Sequence, residues 1–124
     1  MTDTTKDRLQ SNCESIANDI TNGIEVTEDN VDYYPDLGIG DTVSAYDYLQ
    51  DMLDINYTIN ADMSYKSCRV CVGFGGPSLY INTSNNMVEG YWWGTTVKVP
   101  FTDSMDIDDM AEELYEIRRG ESYD

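Results

Sequence analysis

The residues of this sequence that are most clearly arranged to bind a partner are acidic side chains at helical spacing. Steps of three and four residues place side chains on one helix face, where like charges destabilise an isolated helix by about 0.2–0.5 kcal/mol per pair. A basic partner would turn that repulsion into attraction, whereas an ordinary solvated helix face is the alternative for either set alone. The first set is Asp47, Asp51 and Asp54, and the second is Asp106, Asp109, Glu113 and Glu116, with Glu112 beside them.

Enzymatic chemistry has little support in these residues. The chain has no histidine, which removes the commonest general base, the Ser-His-Asp and Cys-His nucleophile systems and the usual metal ligand. Cys68 and Cys71 have the spacing of a zinc or redox pair, but residues three apart on a strand point to opposite faces. We therefore expect Cys68 in the core and Cys71 on the other face, both as reduced thiols.

The other motifs fit turns and loops better than binding sites. The four aspartates of residues 29–41 do not follow the pattern of a helix–loop–helix calcium site; a weak irregular calcium site is the alternative to a solvated loop. The glycine-rich segment 73–76 lacks the Lys-Ser/Thr and the helix that follow a phosphate-binding loop. We expect no catalytic residue, no metal and no cofactor, and so a protein that is not an enzyme. Carboxylates converging around a metal in a closed pocket would reverse that expectation.

Aromatic residues give a second indication of partner binding, because exposed Tyr and Trp are typical anchors of binding surfaces. In Tyr91-Trp92-Trp93, consecutive side chains point opposite ways along a strand, so we expect at least one ring outside the core. The alternative role is to cover an open sheet face. The cluster comprises Tyr33, Tyr34, Tyr80, Tyr91, Trp92 and Trp93.

The net charge of −17 is distributed unevenly over the 124 residues. Residues 1–62 contain 14 acidic and two basic side chains, residues 63–102 one acidic and three basic, and residues 103–124 nine acidic and two basic. Strong acidity costs self-repulsion in a compact domain, which favours a basic partner. A coat that keeps the protein in solution is the alternative.

The same charge excludes other partners. Phosphate binding needs clustered basic residues, and the chain has seven Lys and Arg in all, so we expect no direct contact with nucleic acid. Anionic faces are repelled by anionic lipid. The sequence has neither a signal-peptide pattern nor a bilayer-spanning run, and we expect a cytoplasmic protein.

Hydrophobic periodicity predicts one domain over residues 1–124, of the α+β class. A period of two over residues 55–100 predicts an antiparallel meander of four or five strands, with Phe74 on the inward side. The order ααβββββα predicts that two N-terminal helices and one C-terminal helix pack on this sheet. The helices are expected over 5–22, from Asp41 or Thr42 to about Asp54 with Val43, Tyr46, Leu49, Met52 and Leu53 buried, and from Asp103 or Ser104 to Arg119 with Asp106 in the first turn.

The stretch from Asp54 to Glu116 resembles small acidic proteins encoded on phages, plasmids and conjugative elements of Gram-positive bacteria. These proteins share an aliphatic strand ending in Gly-Gly-Pro, an aliphatic-Tyr strand, a Gly-Tyr-Trp motif and an acidic C-terminal helix. The matching segments here are Val70 to Val72, Gly75-Gly76-Pro77, Leu79-Tyr80-Ile81, Val88 to Trp93 and Asp106 to Glu116. About half of the chain is covered, and the first 50 residues do not contribute.

The resemblance implies a mobile-element setting, where small acidic proteins include anti-CRISPR and anti-restriction proteins. Together with the charge pattern it leads to the expectation of a non-enzymatic inhibitor of a host nucleic-acid-binding defence protein. The first choice of partner is a CRISPR effector nuclease, whose basic channel the acidic helices would occupy as a nucleic-acid mimic. The alternatives are an anti-restriction protein, or a regulatory or adaptor protein that binds its partner through an aromatic sheet face.

Overall fold

In the part of the chain that the structure describes, all the strands lie between the second and the third α-helix. The computed structural model describes residues 4–50 and 52–121. In chain order the elements are α1 (Thr4–Asn22), a short 3₁₀ helix (Val31–Tyr33), α2 (Ala45–Gln50), β1 (Asp54–Ile59), β2 (Tyr65–Gly73), β3 (Ser78–Asn82), β4 (Met87–Trp92), β5 (Thr95–Pro100) and α3 (Ile107–Glu121).

The five strands form one antiparallel sheet in the order β1-β2-β3-β4-β5. Because every strand pairs with its neighbour in sequence, the β2–β3 turn, the β4–β5 turn and the start of β1 lie at the same end of the sheet. α1 packs against β4 and β5, and α3 packs against β2 on the same face. The predicted α+β fold with the order ααβββββα is confirmed.

One apolar stripe attaches α1 to the sheet. Its buried residues include Leu9, Cys13 and Ile20. The helix can approach closely because Gly90 of β4 has no side chain: a Cβ there would lie 2.7 Å from both Leu9 Cδ1 and Cys13 Sγ. Burial raises the pKa of the Cys13 thiol to about 11, so this thiol stays neutral at physiological pH.

The two faces of the sheet differ in composition. Positions that point to the helices are apolar and buried, as at Val70, Ile81 and Val88. The intervening positions form the face opposite α1 and α3, which we call the open face. Its central residues are Arg69, Tyr80, Asn82, Glu89 and Tyr91.

The cysteine pair diverges as the sequence predicted. Cys68 belongs to the hydrophobic core, whereas Cys71 is buried outside that cluster. The Cys71 thiol donates a hydrogen bond to the Gly73 carbonyl oxygen at 3.5 Å. Both are free thiols, and burial raises the pKa of Cys68.

The second helix is shorter than the sequence predicts. It ends at Gln50, because the Leu53 amide donates a hydrogen bond to the Cys71 carbonyl oxygen at 3.0 Å and Asp54 already begins β1. Because the Leu53 backbone is hydrogen-bonded to β2, it is not available for a further turn of α2. Leu53 and Tyr46, both expected to be buried, are exposed.

The third helix begins later than predicted, at Ile107. Asp106 has a φ of 60°, a left-handed conformation in which a helix cannot run, so it does not belong to the first turn. The Asp103 carboxylate caps the helix from outside: its oxygens accept hydrogen bonds from the amides of Ile107 at 2.8 Å and Asp108 at 3.0 Å.

The expected inward position of Phe74 is also wrong. β2 ends one residue earlier, at Gly73. The strand register shifts between Cys71 and Gly73, which interrupts the alternation that the sequence pattern assumed. Phe74 therefore lies in the β2–β3 turn, exposed to solvent.

Candidate partner-binding surfaces

Four carboxylates form a continuous stripe on the solvent side of α3. Asp109, Glu112, Glu113 and Glu116 are all exposed, and we call them the α3 acidic face. Within the part of the chain that the structure describes, no ion pair involves the first three. Glu116 Oε1 lies 3.9 Å from Arg119 Nη1, an exposed pair that contributes little. Charge on this face is therefore almost uncompensated.

The opposite side of α3 explains why this face points outward. Ile107 and Ala111 are buried, and Leu114 packs against the same core, which leaves the acidic positions to solvent. Near the start of the helix the Tyr65 hydroxyl donates a hydrogen bond to Asp108 Oδ1 at 2.7 Å. Burial and this bond raise the pKa of Tyr65. Asp108 thus serves the fold.

Asp106, predicted as the first member of the stripe, is exposed but stands outside the helix. Its left-handed backbone separates it from the regular spacing of the following acids. The structure therefore retains four of the five predicted acids of this set as one helical face.

The other predicted acidic set does not share a helix face. Asp47 closes the N-terminus of α2, where its Oδ2 accepts hydrogen bonds from the Ser44 hydroxyl at 2.8 Å and the Ser44 amide at 3.4 Å. Asp54 lies at the start of β1, and its Oδ1 accepts a hydrogen bond from the Ile55 amide at 3.0 Å. Asp51 lies outside the described residues. The prediction of one stripe failed because α2 ends at Gln50.

The aromatic triplet is divided among three environments. Tyr91 lies on the open face; Trp92 is half-buried against the core, with the Arg8 guanidinium 5.8 Å from its ring centroid. Trp93 occupies the β4–β5 turn and is 82 % exposed. The expectation that at least one ring lies outside the core is confirmed.

A buried carboxylate organises the open face. Glu89 is 4 % exposed; its Oε1 accepts hydrogen bonds from Arg69 Nε at 3.1 Å and the Tyr91 hydroxyl at 3.3 Å, and its Oε2 accepts one from Asn82 Nδ2 at 3.1 Å. The Arg69 guanidinium also stacks on Tyr80, 3.7 Å from the ring centroid. Partial burial lowers the pKa of Arg69, but the bond and the charge of Glu89 outweigh it, and the pKa is raised.

Sequence reasoning missed this network, although one signal was present. Glu89 is the one acid among three basic residues in the segment 63–102. A single acid on a half-buried strand suggests a partner, but only the strand register identifies Arg69, two strands away, as that partner.

Three exposed apolar side chains line one end of the sheet, and we call Leu53, Phe74 and Trp93 the apolar edge. They are 63 %, 74 % and 82 % exposed, respectively. The turns that carry Phe74 and Trp93 adjoin each other, since a Cβ on Gly76 would lie 3.5 Å from Trp92 Nε1. Sequence reasoning missed Leu53 and Phe74; an aromatic residue between glycines was the available signal for the latter.

A groove of about 480 Å³ separates β1 from α3, and it is lined by Met52, Asp54, Tyr57, Tyr115 and Arg118, among others. Within residues 4–50 and 52–121, the groove included, no group of three or more Cys, Asp or Glu side chains comes together in a way that could hold a metal ion. No helix of the described residues has the length and apolar character needed to cross a membrane.

No family model matches the sequence, and neither a curated protein nor a solved structure is significantly similar to the chain.

Proposed function

We propose that this protein is a non-enzymatic inhibitor of a nucleic-acid-binding defence protein, first of all a CRISPR effector nuclease. In this proposal the α3 acidic face enters the basic channel that otherwise holds nucleic acid. The inhibitor belongs to a phage or other mobile element and acts in the cytoplasm of the bacterial host. It uses no cofactor or metal and binds no nucleic acid itself.

The observation that carries this proposal is the uncompensated charge of the α3 acidic face. All four side chains are exposed, and Asp109, Glu112 and Glu113 have no ion-pair partner among the described residues. Asp109 favours the helix dipole from the first turn of α3, whereas Glu112 and Glu113 make no such contribution. Placing like charges at these spacings costs helix stability. Attraction to a basic surface would offset that repulsion.

The spacing of the charges suits mimicry of one nucleic-acid strand. The four carboxylates occupy eight residues, 109–116, which at about 1.5 Å rise per residue is about 12 Å of helix, or one charge per about 3 Å. The phosphates of one DNA strand are about 3.4 Å apart along the helix axis. The linear charge density is therefore close to that of a single strand over this short length.

The first test is a CRISPR interference assay in bacteria that carry a phage-targeting system, with and without this protein. We expect the protein to restore plating of the targeted phage. Binding to the inhibited effector should weaken about tenfold or more between about 0.1 and 1 M salt, because the screening length falls from about 10 to about 3 Å. Salt-independent binding would contradict mimicry.

A pair of matched variants localises the contact. Glu112→Lys/Glu113→Lys reverses two unpaired charges of the α3 acidic face and should abolish inhibition. Asp7→Lys/Glu14→Lys makes the same change in net charge on α1, which packs on the opposite half of the sheet, and should leave inhibition largely intact. Equal effects of the two variants would mean that net charge, rather than this face, matters.

A restriction enzyme presents the same kind of basic DNA channel, so the charge observations also favour an anti-restriction protein. A restriction assay with the same variants separates the two targets. A regulatory or adaptor protein is favoured by a different observation, the aromatic open face around Tyr80 and Tyr91, where the charges of Arg69 and Glu89 compensate each other. That function predicts binding that survives high salt and the Glu112→Lys/Glu113→Lys change.

A further inference from the structure

Trp93 is an unusual residue for the position that it occupies in the β4–β5 turn. Trp92 pairs with Thr95, so the turn consists of Trp93 and Gly94 alone, with φ values of 51° and 77°. Two-residue turns with positive φ at both positions favour Asn-Gly or Gly-Gly. A bulky aromatic residue is disfavoured in the left-handed region, and this ring is left almost fully in solvent.

The fold gains nothing visible from this choice. Trp93 is a large side chain that is exposed and has an unfavourable backbone conformation. Such a residue indicates a role outside the fold. Phe74 shares the exposure, though not the positive φ, in the adjoining turn between Gly73 and Gly75. Because Trp93 and Phe74 are exposed on neighbouring turns, contact of both rings with one partner is the simpler explanation.

We infer that the apolar edge is a second docking point, which inserts Trp93 and Phe74 into an apolar cleft of the same basic protein that the α3 acidic face binds. This inference rests on the proposed function and adds the chemistry of the partner. The edge runs across the sheet end from β1 to the β4–β5 turn, about 17 Å at the usual strand spacing of about 4.8 Å. A cleft of that length with a basic border is the complement.

The charge of the whole molecule supports this occupant. The apolar edge belongs to a chain with a net charge of −17. Close to the edge the charges are balanced, because Asp54 and Arg118 both line the groove between β1 and α3. A basic partner would therefore be attracted by the net charge, whereas the edge itself offers apolar contact.

Two other occupants fit less well. A second copy of this chain would bring two proteins of charge −17 together, against strong repulsion. An anionic lipid surface would accept aromatic side chains but would repel the same charge.

The test uses substitutions that improve the turn. Trp93→Asn creates the favoured Asn-Gly turn, so we expect an equal or higher thermal midpoint together with binding to the inhibited effector that is weaker by about tenfold to thirtyfold. Phe74→Ser should weaken binding in the same direction. The matched control is Met63→Asn, which removes another exposed apolar side chain with a positive φ, 72°. Met63 lies between β1 and β2, at the opposite end of the sheet, and binding should not change.

Fluorescence gives a second measurement on the intact protein. The chain has two tryptophans, so Trp92→Phe leaves Trp93 as the only indole. Addition of the effector should shift its emission to shorter wavelength, because the ring leaves water. The Glu112→Lys/Glu113→Lys change in the same background should abolish the shift by removing binding.

The outcomes separate the two proposals. If wild-type protein binds no effector or restriction enzyme, the proposed function fails and this inference fails with it. If wild-type protein binds and Trp93→Asn/Phe74→Ser binds equally well, with no shift in Trp93 emission, only the inference is overturned. Weaker binding of a variant that is as stable as wild type supports it.

Discussion

Glu89 and the carboxylates of the α3 acidic face are the same chemical group in opposite surroundings. Glu89 is buried on the open face and accepts hydrogen bonds from Arg69, Asn82 and Tyr91. On α3, Glu112 and Glu113 are exposed and have no ion-pair partner in the described part of the chain. Glu89 therefore links side chains of β2, β3 and β4, whereas the exposed carboxylates are available to a partner.

This difference separates stability from function. A buried charge must be compensated, because desolvation penalises it strongly. An exposed charge can remain uncompensated at the cost of a weak repulsion. Substitution of the two kinds of carboxylate should therefore change different measurements, which the following predictions exploit.

The largest effect is expected at Glu89. Glu89→Ala leaves Arg69 and Asn82 without their acceptor and should lower the free energy of unfolding by about 2–3 kcal/mol, near the lower limit for a broken buried pair because Arg69 is partly exposed. Urea denaturation measures this change. Glu113→Ala is the control, and it should stay within about 0.5 kcal/mol of wild type. Similar losses for both variants would remove the distinction between the two surroundings.

The next effect concerns the other side of the same strand. Gly90→Ala places a Cβ 2.7 Å from Leu9 Cδ1 and Cys13 Sγ, and overpacking of this kind costs about 1–3 kcal/mol. Thermal unfolding should show the loss, and Cys13→Ala should restore part of it in the double variant. Full stability of Gly90→Ala would mean that α1 can move away from the sheet at no cost.

A smaller effect of opposite sign is expected on α3. Glu112→Lys/Glu113→Lys converts repulsions with Asp109 and Glu116 into attractions and should raise the free energy of unfolding by on the order of 1 kcal/mol. Inhibition should fall in the same variant. Urea denaturation at low and high salt checks the electrostatic origin, because the gain should shrink as salt is added. A loss of stability would show that these side chains do serve the fold.

The smallest effect at neutral pH arises in the core, where it appears only as a pH dependence in alkaline solution. The pKa of Cys13 is raised from 9.0 to about 11 in the folded protein. Its contribution to stability is complete below pH 9 and disappears as the pH rises through 11, because the unfolded chain loses this proton first. The urea midpoint should therefore fall between pH 8 and pH 10.5. Cys13→Ala should show a weaker fall, and an identical pH profile would exclude this thiol as a cause.

Much of the fold follows from local pattern. The 3.6-residue period of Leu9, Cys13 and Ile20 sufficed to predict α1, and the alternation around Val70 and Ile81 sufficed to predict central strands. Helix ends were less predictable. α2 ends where Leu53 joins the β2 ladder, an interaction with a residue 18 positions away in the chain, which no local signal encodes.

The candidate surfaces likewise include one that local pattern predicted and others that depend on long-range pairing. The α3 acidic face was predicted because spacing on a helix is a local property, and burial of Ile107 and Ala111 fixed its direction. The set of Asp47 and Asp54 was predicted wrongly, since its premise was a helix that strand pairing interrupts. Trp93 was named from its neighbours, but its turn and its exposure required the register of β4 with β5.

By itself, the sequence determined which segments are helical or extended and where the charge is concentrated, because both depend on residues near one another in the chain. The tertiary structure decided which groups are compensated. It brought Arg69 to Glu89 across two strand pairings. It also left Phe74 exposed at the end of the sheet that carries Leu53 and Trp93. These outcomes depend on register and packing, where a shift of one residue exchanges the two faces of a strand.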